Sequence, residues 1–198
     1  MRQELADSGR PLTILRVSGG EPLLAPGLVS EVYEKLDQEG LLSECVLKVE
    51  SNLSALPYSF RQLSASGQAS LRKAAPHVTL HATLHARPHE RDWPSIHEGI
   101  RLALELGFDL YPAIGGTGWS LEDLKTLADE LESAARNLSR RVAVRPFRLS
   151  YATRYGRRVT PDNNPSEGVA ASVAWEGILR QVTDSEYLAT PRHEVELT

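Results

Sequence analysis

The chain reads as an α/β protein, a partial (β/α) barrel of about five mainly parallel strands with flanking helices. Three observations predict this. Five short apolar runs alternate with amphipathic helical segments, the pattern of a parallel sheet whose crossovers are helices. Glycines or small polar residues cluster directly after strands, at Ser18–Glu21, Ser51–Asn52 and Gly115–Gly118, and sites in such folds lie at those strand ends. The 198 residues suit one domain with a real core, spanning 1–198 with a weakly patterned acidic tail over 184–198. Pattern alone does not separate an open sheet from a closed barrel.

The elements follow in order. Residues Met1 to Ser8 resemble the end of a helix without its beginning, and Leu12–Val17 is a buried strand. Gly27–Gly40 is an amphipathic helix, with Leu28, Val32 and Leu36 at helical spacing and Gly40 as its stop. Cys45–Glu50 is the second strand, and a helix is expected near Phe60–Lys73. Val78–Leu84 is the third strand, followed by a helix over Ser95–Leu106 closed by Gly107. Phe108–Ile114 is the fourth strand. Ser120 with Asp123 forms a capping box, with Asp in place of the usual Glu, that starts a helix running to about Leu138. Val142–Leu149 is the fifth strand and Val169–Val182 the last helix.

Composition narrows the function classes. Hydrophobic residues make up 41% and charged residues 24%, which is globular rather than disordered. A net charge of -4 exerts no general pull toward nucleic acid or membrane surfaces. No apolar run approaches the roughly 18 residues that span a bilayer, and the N-terminus lacks an apolar signal core. One cysteine, Cys45, excludes an internal disulfide and a cysteine-only metal site within one chain. A cytoplasmic protein is the default expectation.

The densest signal is Arg16-Val17-Ser18-Gly19-Gly20-Glu21-Pro22-Leu23. Two glycines let the backbone take positive φ and let a ligand approach the main chain. Exposed N–H and C=O groups there suit a polar ligand such as an amino acid ammonium. Glu21 adds negative charge, and Pro22 holds Glu21 out of helical geometry. The bland alternative is a plain strand-to-helix turn.

This string resembles the Gly-Gly-Glu motif on the second strand of radical S-adenosylmethionine (SAM) enzymes. The resemblance continues over about residues 10–150. Glu50-Ser51-Asn52 is similar to that family's Glu-Thr-Asn at the end of strand three. His77–His85 falls at strand four, Tyr111-Pro112-Ala113-Ile114 at strand five, and Arg145-Pro146-Phe147 at strand six. The resemblance implies that Ser18, Gly19, Gly20 and Glu21 meet the amino group of SAM. It also implies that Ser51 and Asn52 meet SAM or substrate and that Ile114 packs on adenine. Arg145 and Arg148 would meet the SAM carboxylate or an anionic substrate. The implied activity is reduction of SAM at a 4Fe-4S cluster and release of a 5′-deoxyadenosyl radical that abstracts hydrogen.

The family holds its cluster with C-x3-C-x2-C in the loop after its first strand, and cluster ligation depends on such grouped thiolates. This chain has no such triad. Cys45 begins its strand, at the end opposite the Gly-Gly turn, and reads as a small buried apolar residue. The expectation is therefore a domain short of its first strand and cluster loop, by truncation or by natural loss. It would be inactive as given, and it would expose Leu12–Val17 as an edge open to homodimerisation. Two other readings stay open: a non-catalytic SAM-binding or scaffold domain, and an unrelated partial barrel with a histidine-bound metal.

His77, His81, His85 and His89 recur every four residues. On a helix, neighbours at that spacing could share a metal. The segment His77–His85 instead alternates polar and apolar residues without a break, which is the strand period. At about 3.3 Å per residue, adjacent histidines then stand about 13 Å apart, so no shared metal is expected. The strand presents one polar face, with Thr83 and His85, nearest the tip, as candidates for ligand contact. Eight arginines between Arg136 and Arg158 read as a solvated helix end and loop rather than an RNA-binding rim. Gly115-Gly116-Thr117-Gly118 could receive an anion but lacks the Lys-Ser/Thr of a P-loop.

Overall fold

The computed structural model describes residues 14–115, 118–145, 165–183 and 190–197. The helix end expected over 1–8 and residues 146–149 of the expected fifth strand, with Phe147 and Arg148, lie outside the described residues. Five strands form one parallel sheet in the order β1-β2-β3-β4-β5: β1 (Ile14–Val17), β2 (Val46–Ser51), β3 (Val78–Leu84), β4 (Asp109–Gly115) and β5 (Ala143–Arg145). The helices are α1 (Gly27–Gln38), α2 (Leu56–Gln62), α3 (Ala65–Ala74), α4 (Trp93–Leu106), α5 (Leu121–Ala134) and α6 (Pro165–Val182). The α/β class and the five parallel strands agree with the sequence reading. The sheet is not closed among the described residues, so no barrel is formed by them.

Two boundaries differ from expectation for clear reasons. The helix expected near Phe60–Lys73 is two helices, because Ser64 takes an extended conformation and its side chain caps α3 by accepting from Gly67 N. The helix from Ser120 stops at Ala134, where Ala135 turns extended and Asn137 enters the left-handed region at φ 66°. The Ser120–Asp123 capping box is present, with both reciprocal hydrogen bonds made.

The chain divides into two compact units, the first comprising 1–86 with 91–112 and the second 87–90 with 113–198. In the first unit the strands stand in sequence order, and parallel crossovers are right-handed, so the connecting helices share one face of the sheet. Burial agrees. Leu47 and Val49 of β2, and Val78, Leu80, Ala82 and Leu84 of β3, are buried. Lys48, Glu50, Thr79, His81 and Thr83, on the other face, are only half-buried. The apolar face packs with Val29, Tyr33 and Leu36 of α1, Leu71 of α3, and Ile96, Ile100 and Ala103 of α4 in this unit's core. Gly99 brings α4 against the loop after β2: a Cβ there would lie 2.3 Å from the Leu53 carbonyl oxygen.

In the second unit Ala113–Gly115 pair with Ala143–Arg145. Its core holds Leu124, Leu127, Ala128 and Leu131 of α5 with Trp175, Ile178 and Leu179 of α6. Residues 190–197 of the tail are more engaged with the fold than their pattern suggested. Val195 is fully buried, and Arg141 donates from Nε and Nη2 to its carbonyl at 2.9 and 2.6 Å. Arg140 donates to Thr190 O at 2.8 Å. Two arginines of the cluster thus hold the C-terminal segment. Among the described residues no helix is long and apolar enough to cross a membrane.

Candidate functional site

The C-terminal ends of β1 and β2 build the most elaborate polar constellation of the first unit. Leaving β1, Gly19 and Gly20 take φ 96° and 61°, in the region that side-chain-bearing residues avoid. Both are exposed, as is Ser18. A Cβ at either glycine would meet nothing within 4 Å. Their main-chain groups enter no turn hydrogen bond among the described residues. The turn is therefore open, with unengaged peptide dipoles at the tip of a strand.

Glu21 does something other than line that opening. Its Oε1 accepts from Leu23 N at 3.0 Å and from the Ser51 hydroxyl at 2.6 Å. Its Oε2 accepts from Asn52 N at 2.7 Å. One carboxylate thus caps the short 3-10 turn at Pro22–Leu24 and ties the end of β1 to the end of β2. Ser51 is buried, and its oxygen also accepts from Leu53 N at 2.8 Å. Asn52 Oδ1 accepts from the Ser54 N–H and hydroxyl at 3.0 and 2.7 Å. Glu21 and Ser51, expected as ligand contacts, are thus committed to holding the turn.

Below the tips lies the polar face. Parallel register sets Arg16 beside Lys48 and Glu50 beside His81. Arg16 Nη2 bonds Glu50 Oε2. Lys48 Nζ lies 3.9 Å from Glu50 Oε1. The His81 ring stacks on Tyr111 with centroids 5.6 Å apart. Thr83 is half-buried, two residues beyond His81 on this face, and His85 is exposed just past the end of β3. His77 is not in the strand. It occupies the 3-10 turn before it and stacks on Tyr33 at 5.2 Å. Among the described residues no group of three or more His, Cys, Asp or Glu side chains is arranged to hold a metal ion.

The second unit holds the remaining candidates. Ile114 is fully buried, so its side chain is core and offers no surface to a ring. Arg145 is exposed at the end of β5. Also in this unit, His89 Nδ1 lies 2.9 Å from Asp123 Oδ1. Burial of Asp123 favours the neutral acid, yet hydrogen bonds from the Ser120 hydroxyl and N–H, with His89 and Arg87 near, hold its carboxyl below the ordinary carboxylate range. Burial together with Glu44 pushes the Cys45 thiol up, in keeping with an inert apolar residue.

The Glu21 hydrogen bonds bring the Gly19-Gly20 turn, Ser51 and Asn52 together at the ends of β1 and β2. Sequence reasoning did not single out Lys48 or its grouping with Arg16 and Glu50. The signal was available: Val46-Leu47-Lys48-Val49-Glu50 alternates with the strand period, which sets Lys48 and Glu50 on one face. A scan against family models, a search of curated proteins and a search of solved structures each find no match.

Proposed function

We propose that this chain binds S-adenosylmethionine at the Ser18-Gly19-Gly20 turn, as the SAM-binding portion of a (β/α)-barrel protein of the radical SAM type. The open glycine turn, locked from behind by Glu21, carries this reading. A SAM ammonium is a small cation with three N–H donors and suits main-chain carbonyl acceptors. Unengaged carbonyls at a strand tip supply them without the desolvation cost of a second buried charge. Asn52 and Thr83 lie at neighbouring strand ends and are the next candidates to touch the ligand, with His85 beyond them. Glu21 and Ser51 act as positioning residues that hold the turn in shape.

In the family that the chain resembles, a 4Fe-4S cluster supplies the electron that converts SAM into a carbon radical. The residues of this chain do not fit that cluster. Its one cysteine is Cys45, buried before the first residue of β2, at the strand end away from the glycine turn.

Calorimetry of the chain with SAM tests the proposal. Saturable one-to-one heat that is lost in Gly20→Val supports it. Absence of binding by the wild-type chain, or binding unchanged in Gly20→Val, rules out this site.

A further inference from the structure

Parallel sheets in globular proteins nearly always have both faces covered. In the first unit the helices share one face, and the other carries half-buried Lys48, Glu50, Thr79, His81, Thr83 and Tyr111. A bound ligand can cover such a polar face of a parallel sheet in place of a helix.

The charges on this face are unbalanced. Arg16 and Lys48 are neighbours in register, and among the described residues the carboxylate paired with them is that of Glu50. Arg16 takes Glu50 Oε2. Lys48 is left 3.9 Å from Oε1, with only 22% of its side chain exposed. That separation exceeds a hydrogen bond, and an ammonium has three donors to satisfy. A largely covered cation without a hydrogen-bond acceptor is costly. Asp109, the other acid on this side, starts β4 two strand spacings away, about 10 Å. The local group Arg16, Lys48 and Glu50 therefore carries one excess positive charge next to an underused donor.

We propose that this face is a binding site for a ligand bearing an oxyanion, either carboxylate or phosphate, held by Lys48 together with Arg16. His81 and Tyr111 form the ring-lined floor beside it. Glu50 sits between the two cations and competes with the anion for them. In identifying that ligand as the substrate of the protein, the inference rests on the SAM reading above; the anion site itself does not. Lys48 stands four residues before Asn52, the residue that follows β2, so its backbone lies about 13 Å down the strand from the tip.

The test follows the lysine side-chain resonances of the isotope-labelled full chain by NMR during titration with inorganic phosphate and, separately, with succinate. A saturable shift at Lys48, with no saturable shift at Lys35 on α1, is expected. Lys48→Met should weaken binding at least tenfold, read by calorimetry. Glu50→Gln should tighten it several-fold, because it removes the competing carboxylate; a merely structural ion pair would not give a gain. A response to phosphate alone or succinate alone names the class of oxyanion. No saturable shift at Lys48 with either probe, an equal shift at Lys35, or no tightening in Glu50→Gln overturns the proposal. SAM affinity unchanged in Lys48→Met supports a separate substrate group, whereas its loss shows that Lys48 is not independent of the SAM site and overturns the substrate assignment. Saturation at Lys48 in a chain that does not bind SAM sinks the SAM reading and leaves the anion site standing.

Discussion

The Glu21 carboxylate accepts the Ser51 hydroxyl at 2.6 Å, a bond between residues thirty positions apart that joins the ends of two neighbouring strands. With the Asn52 N–H at 2.7 Å on the other oxygen, it makes the shape of the open turn depend on the position of β2. Glu21→Gln keeps the size but turns an NH2 group toward one of these donors. Hydrogen bonds to a charged acceptor contribute about 1.5–3 kcal/mol. We expect Glu21→Gln to lower unfolding free energy by about that amount in urea titration and to weaken SAM binding. Unchanged stability would show that the clamp contributes nothing.

Gly20 and Gly99 separate conformational from steric roles. At Gly20 a Cβ meets nothing within 4 Å, but φ is 61°. Holding a non-glycine residue there costs about 1–2 kcal/mol, so Gly20→Val should fold with a modestly lowered melting temperature. At Gly99, inside α4, alanine would ordinarily stabilise a helix by about 0.5–1 kcal/mol. Here its Cβ would sit 2.3 Å from Leu53 O, so Gly99→Ala should instead destabilise by about 1–3 kcal/mol. A stabilised Gly99→Ala protein would contradict the close approach of α4 to that loop.

The start of α5 should respond to acid. Asp123 is ionised more readily in the folded chain than a free carboxyl. Its contribution is thus fully present above the ordinary carboxylate range and lost as pH falls through the lower folded value. Removing the cap by Ser120→Ala should cost about 1 kcal/mol near neutral pH. It should also flatten the acid limb of stability against pH. An acid limb identical to wild type would remove Asp123 from the account.

The C-terminal segment is held by Arg141. Its two donations to Val195 O accompany full burial of the Val195 side chain. Arg141→Ala should raise the rate of proteolysis within residues 190–197 several-fold, followed by mass spectrometry, while cleavage within α5 stays unchanged. Equal rates at both places would show that the arginine is dispensable.

Much of this architecture was legible in the chain because it is encoded by local period. The alternation Val78-Thr79-Leu80-His81-Ala82-Thr83-Leu84 could only be a half-exposed strand, and β3 has those bounds. Ser120 and Asp123 carry their capping geometry within four residues, and Gly19-Gly20 carry their positive φ in their composition. What the chain could not reveal is which distant atoms meet. A carboxylate beside two glycines reads as a ligand contact until the fold brings the Ser51 hydroxyl and the Asn52 N–H to it. Lys48 and Arg16 read as ordinary strand charges until parallel register sets them side by side around one acid. Backbone conformation is decided by neighbours in sequence, whereas hydrogen-bond partnership and charge balance are decided by neighbours in space.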